Sequence, residues 1–451
     1  MGTRKISVLY IVTRVMLAIL IMFSVTILVR FFTRQVLIEK MGMNNRFTRA
    51  VFFDALRMEE NVQSPQIDWS GEFPFDEVGS PVEARSNQSI SIISQHIASL
   101  VKSLESRIVS YTTDTVIFYP RILEMANQYK KAIGWNMVPN AEYNGVISMD
   151  DGYLTTIVEK RDISDNVKAI SDLKTYLDKQ GIDLLYVQIP HKICKHDTKL
   201  SGVIDFSNQN ADAFLSGLKE QRVDYLDLRN VLHKEGLNHH ELFYRTDHHW
   251  KAETGLWAAG IVSKTLNDRY GFNIDLESLN PENFEYKVYE KWFFGSQGKK
   301  VTLSRAQPED IALIYPREEA MLSFRVPGNN LDLSGSFGIF YDESKITEID
   351  YYNNNPYAAY MYADNAYSLV ANHRVAENNK VLVIGDSNDN SMIPFLALGI
   401  RNVDSLDLRH FNGSLRNLIL KEKYDLVIIN YVSDYIKAID YSTHNSTFDF
   451  R

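Results

Sequence analysis

Residues 381–396 read VLVIGDSNDNSMIPFL, and this stretch decides the fold. Four apolar residues end in Gly385, Asp386 and Ser387, and a helix-like segment follows. A short apolar run before a glycine turn and a helix is typical of a buried strand in an α/β sheet. Ligands bind at the carboxyl ends of such strands. Ser387 is therefore either a candidate nucleophile or, with Asp386, a cap of the next helix.

Other apolar runs of strand length alternate with segments of helix length. The runs lie at residues 184–189, 223–228, 381–384, 403–408 and 426–429, and one helical stretch covers residues 166–180. Short apolar strands that alternate with helices predict an α/β fold, here a three-layer α/β/α sandwich with a parallel sheet. Residues 270–375 are less regular and rich in Asn and Tyr. We predict that they form an insertion with antiparallel strands near the site.

A second candidate motif lies at residues 243–255, which read FYRTDHHWKAETG. A serine hydroxyl is a poor nucleophile until a base takes its proton, and the base is usually a histidine oriented by a carboxylate. Asp247 and His249 lie two residues apart, close enough for a hydrogen bond between them in a loop. The intervening His248 is expected to point elsewhere.

Two other interpretations of this loop remain open at the level of sequence. Asp247 can cap the following helix while the histidines lie on the surface. Alternatively, the loop can bind zinc together with His239 and His240, although its spacing is not that of an HExxH helix.

Together the two motifs resemble a known family. Residues 246–250, TDHHW, followed by Thr254 and Gly255, are similar to the signature of the DHHW family, relatives of the alginate O-acetylation proteins. Residues 383–396 resemble the family's serine segment. Residues 144–154 and 294–300 resemble its opening strand pair and its Gly-Ser loop, so that the resemblance runs from about 141 to 440. It implies an SGNH-like fold in which the Asp–His pair precedes the serine.

The resemblance also implies the roles of individual residues. These are Ser387 as nucleophile, His249 as base, Asp247 as the orienting carboxylate, and Asn390, Gly295 and Ser296 on the substrate or oxyanion side. Two positions depart from the family pattern. Asn388 stands where an aromatic residue is usual, and residues 150–151 are Asp-Asp where a glycine-lysine type of turn is usual. The first departure bears on the shape of the acceptor site.

The N-terminal part is predicted to lie in a membrane. Residues 6–29 form an apolar run that only Arg14 interrupts. As a helix at about 1.5 Å per residue the run reaches roughly 36 Å, enough to cross a bilayer. A cleavable signal peptide is the alternative, but no small-residue cleavage site follows. Basic residues flank the run on both sides, so charge does not determine its orientation.

These observations predict three regions. Residues 1–35 form a membrane anchor, residues 36–140 a juxtamembrane helical and linker region, and residues 141–451 the catalytic domain. The helical pattern at 89–131 fits either a helix packed on that domain or a short coiled stalk.

Composition excludes several functions. The formal charge of −9 over 451 residues argues against binding to nucleic acid. The single cysteine, Cys194, excludes an intramolecular disulfide and a multi-cysteine metal site. No cofactor and no metal are predicted.

The resemblance implies a single-pass protein of the cell membrane with an extracytoplasmic catalytic domain. That domain would acetylate a cell-surface or exported polysaccharide through an acetyl-enzyme. The acetyl groups would come from a membrane-bound O-acyltransferase partner. An acetyl esterase and a non-catalytic polysaccharide-assembly protein are the alternatives.

Overall fold

The computed structural model describes residues 119–132, 134, 140–439 and 446–451. The predicted anchor at 1–35 and most of the predicted region 36–140 lie outside these residues. Within the part that is described, no helix is both long enough and apolar enough to cross a membrane. Pro120–Arg451 form one compact unit, which begins earlier than the predicted domain boundary at residue 141.

The secondary structure alternates strands and helices through most of this unit. The described strands are β1 (Glu142–Tyr143), β2 (Val146–Ser148), β3 (Leu154–Thr155), β4 (Asp183–Ile189), β5 (Asp224–Asp227), β6 (Phe284–Phe293), β7 (Glu309–Pro316), β8 (Leu322–Val326), β9 (Leu331–Gly335), β10 (Tyr367–Asn372), β11 (Lys380–Gly385), β12 (Asn402–Leu406) and β13 (Leu426–Val432). The described α-helices are α1 (Tyr119–Ala132), α2 (Ser164–Asp178), α3 (Ser207–Glu220), α4 (Leu228–Lys234), α5 (Ala252–Tyr270), α6 (Ser296–Val301), α7 (Ile393–Gly399) and α8 (Leu415–Glu422).

The main sheet has eight strands in the order β5-β4-β13-β11-β12-β10-β8-β9. The five from β5 to β12 are parallel, and each corresponds to an apolar run predicted as a strand. The predicted parallel sheet is confirmed in part: β10, β8 and β9, which come from the predicted insertion at 270–375, pair antiparallel at one edge and make the sheet mixed. Only a short turn connects β8 to β9, and such a turn permits only antiparallel pairing. Strand direction at β10 is not encoded in any local pattern.

Both faces of the sheet are buried, which makes three layers. In β11, Val381 and Val383 pack into one apolar core, and Leu382 and Ile384 pack into the other. Helices α5 and α7 cover the first face, and α2, α3 and α8 cover the second. Because successive strand residues point to opposite faces, a continuous apolar run is what a sheet covered on both sides requires.

Segments from the predicted insertion lie near the carboxyl end of the parallel strands. Strands β6 and β7 form a separate antiparallel pair, which confirms that the insertion contains antiparallel strands. β6 ends at Phe293, directly before α6. Helix α1 contacts the far end of α6, where Asn127 donates to the carbonyl oxygen of Val301 at 2.7 Å.

Candidate active site

Ser387 lies directly beyond the carboxyl end of β11. Ser387–Ser391 form a 3₁₀ turn, and Asp386 caps it by accepting a hydrogen bond from the Asn388 N–H at 2.8 Å. A Cβ at Gly385 would overlap the carboxylate of Asp389, so only glycine permits this close approach. Asp386 is therefore the cap, and Ser387 itself is left for chemistry.

The loop that carries Asp247 and His249 is a tight turn closed by two residues that form a β-bridge. Phe243 and Trp250 form an antiparallel bridge that encloses the loop. Helix α5 begins only at Ala252. The alternative in which Asp247 caps that helix is therefore wrong.

The two motifs meet at the carboxyl edge of the sheet. His249 Nε2 lies 2.7 Å from Ser387 Oγ, and His249 Nδ1 lies 2.5 Å from Asp247 Oδ1. Because an ionised carboxylate only accepts hydrogen bonds, Nδ1 carries the proton and Nε2 is free to accept the serine proton. All three side chains are buried. This is the geometry of a Ser-His-Asp triad in its working tautomer.

The carboxylate of Asp247 is held ionised by its neighbours. Oδ1 accepts from the His249 N–H at 3.1 Å, and Oδ2 accepts from the Ser296 N–H at 2.6 Å. Burial by itself would raise the pKa of Asp247, but the imidazoles of His248 and His249 and the N–H donors hold it well below its usual value. A permanently ionised carboxylate can stabilise the imidazolium that forms when His249 takes a proton.

Trp250 and Gly255 join the histidine loop to the serine turn. The indole N–H of Trp250 lies 3.0 Å from the Asn388 carbonyl oxygen and 2.9 Å from Ser391 Oγ. A Cβ at Gly255 would overlap the carbonyl oxygen of Ser391, so the glycine allows α5 to pack directly on the serine turn. These two residues of the quoted motif therefore hold the histidine loop and the serine turn together.

Two residues that the sequence analysis did not identify also support the triad. The ring of Tyr357 stacks on that of His249, with centroids 3.9 Å apart and an interplanar angle of 13°. Its hydroxyl donates to the carbonyl oxygen of Ser387 at 3.1 Å. The buried ammonium of Lys192 donates to the carbonyl oxygens of Leu154, at 2.7 Å, and of Asp247, and to Gln297 Oε1 at 3.0 Å. Neither contact has a local sequence signal, since each partner is far away in the chain.

The predicted oxyanion residues have other partners. The N–H of Gly295 donates to Thr246 Oγ1 at 2.9 Å, and the N–H of Ser296 donates to Asp247, as described above. The Ser296 amide therefore supports the carboxylate and the Gly295 amide supports the hydroxyl of Thr246, so both N–H groups already have acceptors other than an oxyanion. Asn390 is half-buried, and its side-chain amide donates to Asp364 Oδ1 at 3.1 Å.

Asn388, the departure beside the nucleophile, is structural. It is 4% exposed, and its side-chain N–H donates to Asp386 Oδ1 at 2.8 Å. Its side-chain oxygen lies 3.4 Å from the backbone N–H of Trp250. The side chain therefore connects the two motifs and does not face a substrate that would accept the acetyl group.

The prediction that His248 points elsewhere is wrong. Its Nδ1 lies 3.3 Å from Asp247 Oδ1 and 3.3 Å from Ser296 Oγ. Asp247, His248 and His249 thus place three potential metal ligands within 4.8 Å of one another. The other two histidines of the zinc alternative are engaged elsewhere: His240 pairs with Asp151 at 2.7 Å and His239 with a backbone carbonyl oxygen at 2.8 Å. A triad accounts for the contact with Ser387, whereas a metal site does not.

Part of this chain matches a known protein family. Residues 149–295 match a family described as "SGNH hydrolase-like domain, acetyltransferase AlgX". The predicted family resemblance is confirmed. The matched residues contain Asp247 and His249 and end before Ser387. The match supports acyl or acetyl transfer as the general activity. No curated protein matches the chain.

Solved structures of Bacillus cereus PatB1 share the fold of this chain. Bacillus cereus PatB1 is 18% identical with a TM-score of 0.55, covering 67% of this chain and 98% of PatB1. PatB1 with a sulfonyl adduct is 17% identical with a TM-score of 0.56, covering 67% and 97%. A DHHW family protein from Eubacterium siraeum is 14% identical with a TM-score of 0.48, covering 66% and 94%.

Replacing Lys192 with methionine is expected to lower turnover at least about tenfold. The substitution removes three hydrogen bonds and leaves buried oxygens without donors, including the backbone oxygen of Asp247. Burial lowers the pKa of Lys192 to about 8, against the opposing effect of Asp247 and Glu309. Above that pH the neutral amine has one N–H fewer than its three acceptors need, so wild-type turnover should fall.

The measurement is a profile of turnover against pH between 6 and 10. A decline above about pH 8 should appear in the wild type and be absent from the slower Lys192→Met variant. Substitution of the exposed Lys264, whose ammonium pairs with Asp268 on α5, serves as the matched control. If turnover depended on pH in the same way in wild type and in Lys192→Met, the ionisation of Lys192 would not control turnover.

Proposed function

We propose that this protein is a serine-dependent O-acetyltransferase that modifies a polysaccharide outside the cytoplasm. The observation that carries the proposal is the unbroken hydrogen-bonded path from Asp247 through His249 to Ser387, with contacts of 2.5 and 2.7 Å. The AlgX family match supports acetyl transfer. A sulfonyl adduct of PatB1, a protein of the same fold, supports the use of sulfonyl reagents as probes here.

The chemistry divides into two half-reactions. His249 Nε2 takes the proton of Ser387 Oγ as the oxygen attacks the acetyl carbonyl, and the imidazolium then gives the proton to the departing group. In the second half-reaction His249 takes the proton of an acceptor hydroxyl, whose oxygen attacks the acetyl-enzyme. The Ser387 oxygen leaves and regains the proton. Asp247 remains ionised throughout, which keeps the imidazole in the required orientation.

One oxyanion donor is proposed from the backbone. The N–H of Ser387 lies at the start of the 3₁₀ turn that follows β11, where peptide N–H groups face an anion beyond the strand end. The Tyr357 hydroxyl, by holding the Ser387 carbonyl oxygen, fixes the orientation of this turn.

The acceptor, the location and the partner rest on the sequence. The resemblance to alginate O-acetylation proteins supports a polysaccharide acceptor. The apolar run at residues 6–29 supports a membrane anchor, with the catalytic domain on the extracytoplasmic side. An enzyme at that position needs acetyl groups exported from the cytosol, and we propose that a membrane-bound O-acyltransferase delivers them.

The test uses the full chain in mild detergent with 4-nitrophenyl acetate as donor and a soluble oligosaccharide as acceptor. A transferase gives an acetylated oligosaccharide, identified by its mass. An esterase gives acetate at the same rate with or without the oligosaccharide. A non-catalytic assembly protein releases no 4-nitrophenol above a protein-free control, and that result would overturn the proposal.

A further inference from the structure

His248 lies beside the proposed triad, partly exposed to solvent, without being part of it. Its ring centroid is 3.9 Å from that of His249, and 45% of its side chain is exposed. By contrast, the side chains of Asp247 and His249 are only 5% and 11% exposed. His248 is therefore the histidine of this loop that an incoming acceptor meets first.

Asp247 fixes the tautomer of His248. Its Nδ1 lies 3.3 Å from Asp247 Oδ1 and 3.3 Å from Ser296 Oγ. A lone pair on Nδ1 so close to the ionised carboxylate would be repelled, which favours the tautomer in which Nδ1 carries the proton and donates it to Ser296 Oγ. Surrounding protein and the His249 imidazole lower the pKa of His248 to about 4, so the ring is neutral near pH 7. Nε2 therefore presents a lone pair, and within the described residues it has no hydrogen-bond partner.

We propose that His248 Nε2 binds a second hydroxyl of the acceptor, next to the hydroxyl that His249 deprotonates. This inference rests on the proposed transferase function and deepens it. Two neutral imidazoles side by side, with their Nδ1 atoms 3.3 and 2.5 Å from Asp247 Oδ1, offer two neighbouring hydrogen-bond acceptors at Nε2. An acceptor with adjacent hydroxyl groups satisfies both, whereas water or a simple alcohol satisfies one. The site therefore selects a vicinal diol, as found on a sugar ring.

His248 is thus a specificity residue and takes no proton in the reaction. Its hydrogen bond keeps the acceptor bound next to the acetyl-enzyme. It therefore favours transfer of the acetyl group to the acceptor over hydrolysis by water. The loss of one hydrogen bond corresponds to about a tenfold change in binding. That change should appear in the acceptor KM and in the ratio of acetylated acceptor to free acetate.

The experiment compares wild type, His248→Phe and His248→Gln in the full chain. Phenylalanine keeps a ring but has no acceptor atom, whereas glutamine can return an oxygen acceptor near the position of Nε2. With a methyl glycoside that has adjacent hydroxyls, His248→Phe should raise KM about tenfold and shift products toward acetate. His248→Gln should restore part of the loss. With a simple alcohol as acceptor, wild type and His248→Phe should have similar KM values.

The initial burst of 4-nitrophenol released from 4-nitrophenyl acetate shows whether a negative result contradicts the role of His248 or the proposed function. A burst in the wild type with no change of KM in His248→Phe would overturn the role of His248 while leaving the proposed function intact. A burst that falls in proportion to transfer would show that His248 acts through the triad and would also overturn the inference. No burst in the wild type contradicts the proposed function itself. His373→Phe, at another exposed histidine, is the matched control and should match wild type.

Discussion

Replacing Ser387 with alanine is expected to abolish the acetyl-enzyme and to lower turnover by about four to six orders of magnitude. The substitution removes the hydroxyl oxygen that lies 2.7 Å from His249 Nε2. The measurement combines 4-nitrophenol release with the mass of the intact protein after treatment with a sulfonyl fluoride. Wild type should gain one adduct on Ser387, and Ser387→Ala should gain none.

Controls distinguish this effect from misfolding and from a second nucleophile. Ser164→Ala, at an exposed serine at the start of α2, should retain wild-type turnover and labelling. His249→Ala should lose about as much turnover as Ser387→Ala, and the double variant should lose little more, because the two residues act as a unit. Full labelling of Ser387→Ala at another residue would refute the assignment of the nucleophile.

Substitution of Gly255 by alanine is expected to lower turnover by at least about a hundredfold and to destabilise the fold by about 1–3 kcal/mol. The new Cβ would overlap the Ser391 carbonyl oxygen, which is part of the serine turn. Helix α5 must then move away from that turn, and it carries the histidine loop with it. Because proton transfer depends on hydrogen-bond distance, a displacement of about 1 Å separates His249 from Ser387.

Gly260→Ala in the same helix is the matched control. A Cβ at Gly260 meets no atom within 4 Å. Alanine also favours a helix over glycine by about 1 kcal/mol, so this variant should be slightly more stable than wild type and equally active. Denaturant unfolding and turnover should be measured on both variants. Equal behaviour of Gly255→Ala and Gly260→Ala would show that the close packing of α5 on the serine turn does not matter.

Local patterns were sufficient to predict much of the fold. Every apolar run predicted as a strand is a strand of the main sheet, because a strand buried on both faces must be apolar at successive positions. The helix at 166–180 corresponds to α2, Ser164–Asp178. The pairing of Asp247 with His249 could also be predicted, since the two residues lie in one short loop.

The direction of the edge strands and the roles of several residues could not be predicted. β10 pairs antiparallel with β12 on one side and with β8 on the other, although its own pattern does not encode direction. The amides of Gly295 and Ser296 donate to Thr246 and Asp247, because β6 ends directly before them and brings them to the histidine loop. Such contacts depend on how distant segments are brought together.

The sequence by itself determined the buried strands, the serine turn after β11 and the Asp–His pair, because each depends on residues that are neighbours in the chain. Only the tertiary structure decided that His249 Nε2 reaches Ser387, 138 positions away, at 2.7 Å. It also decided that the Tyr357 ring stacks on the His249 imidazole and that the Lys192 ammonium donates a hydrogen bond to the carbonyl oxygen of Asp247. The physical reason is that hydrogen bonds and ring stacking act over a few ångströms in space, whatever the separation along the chain.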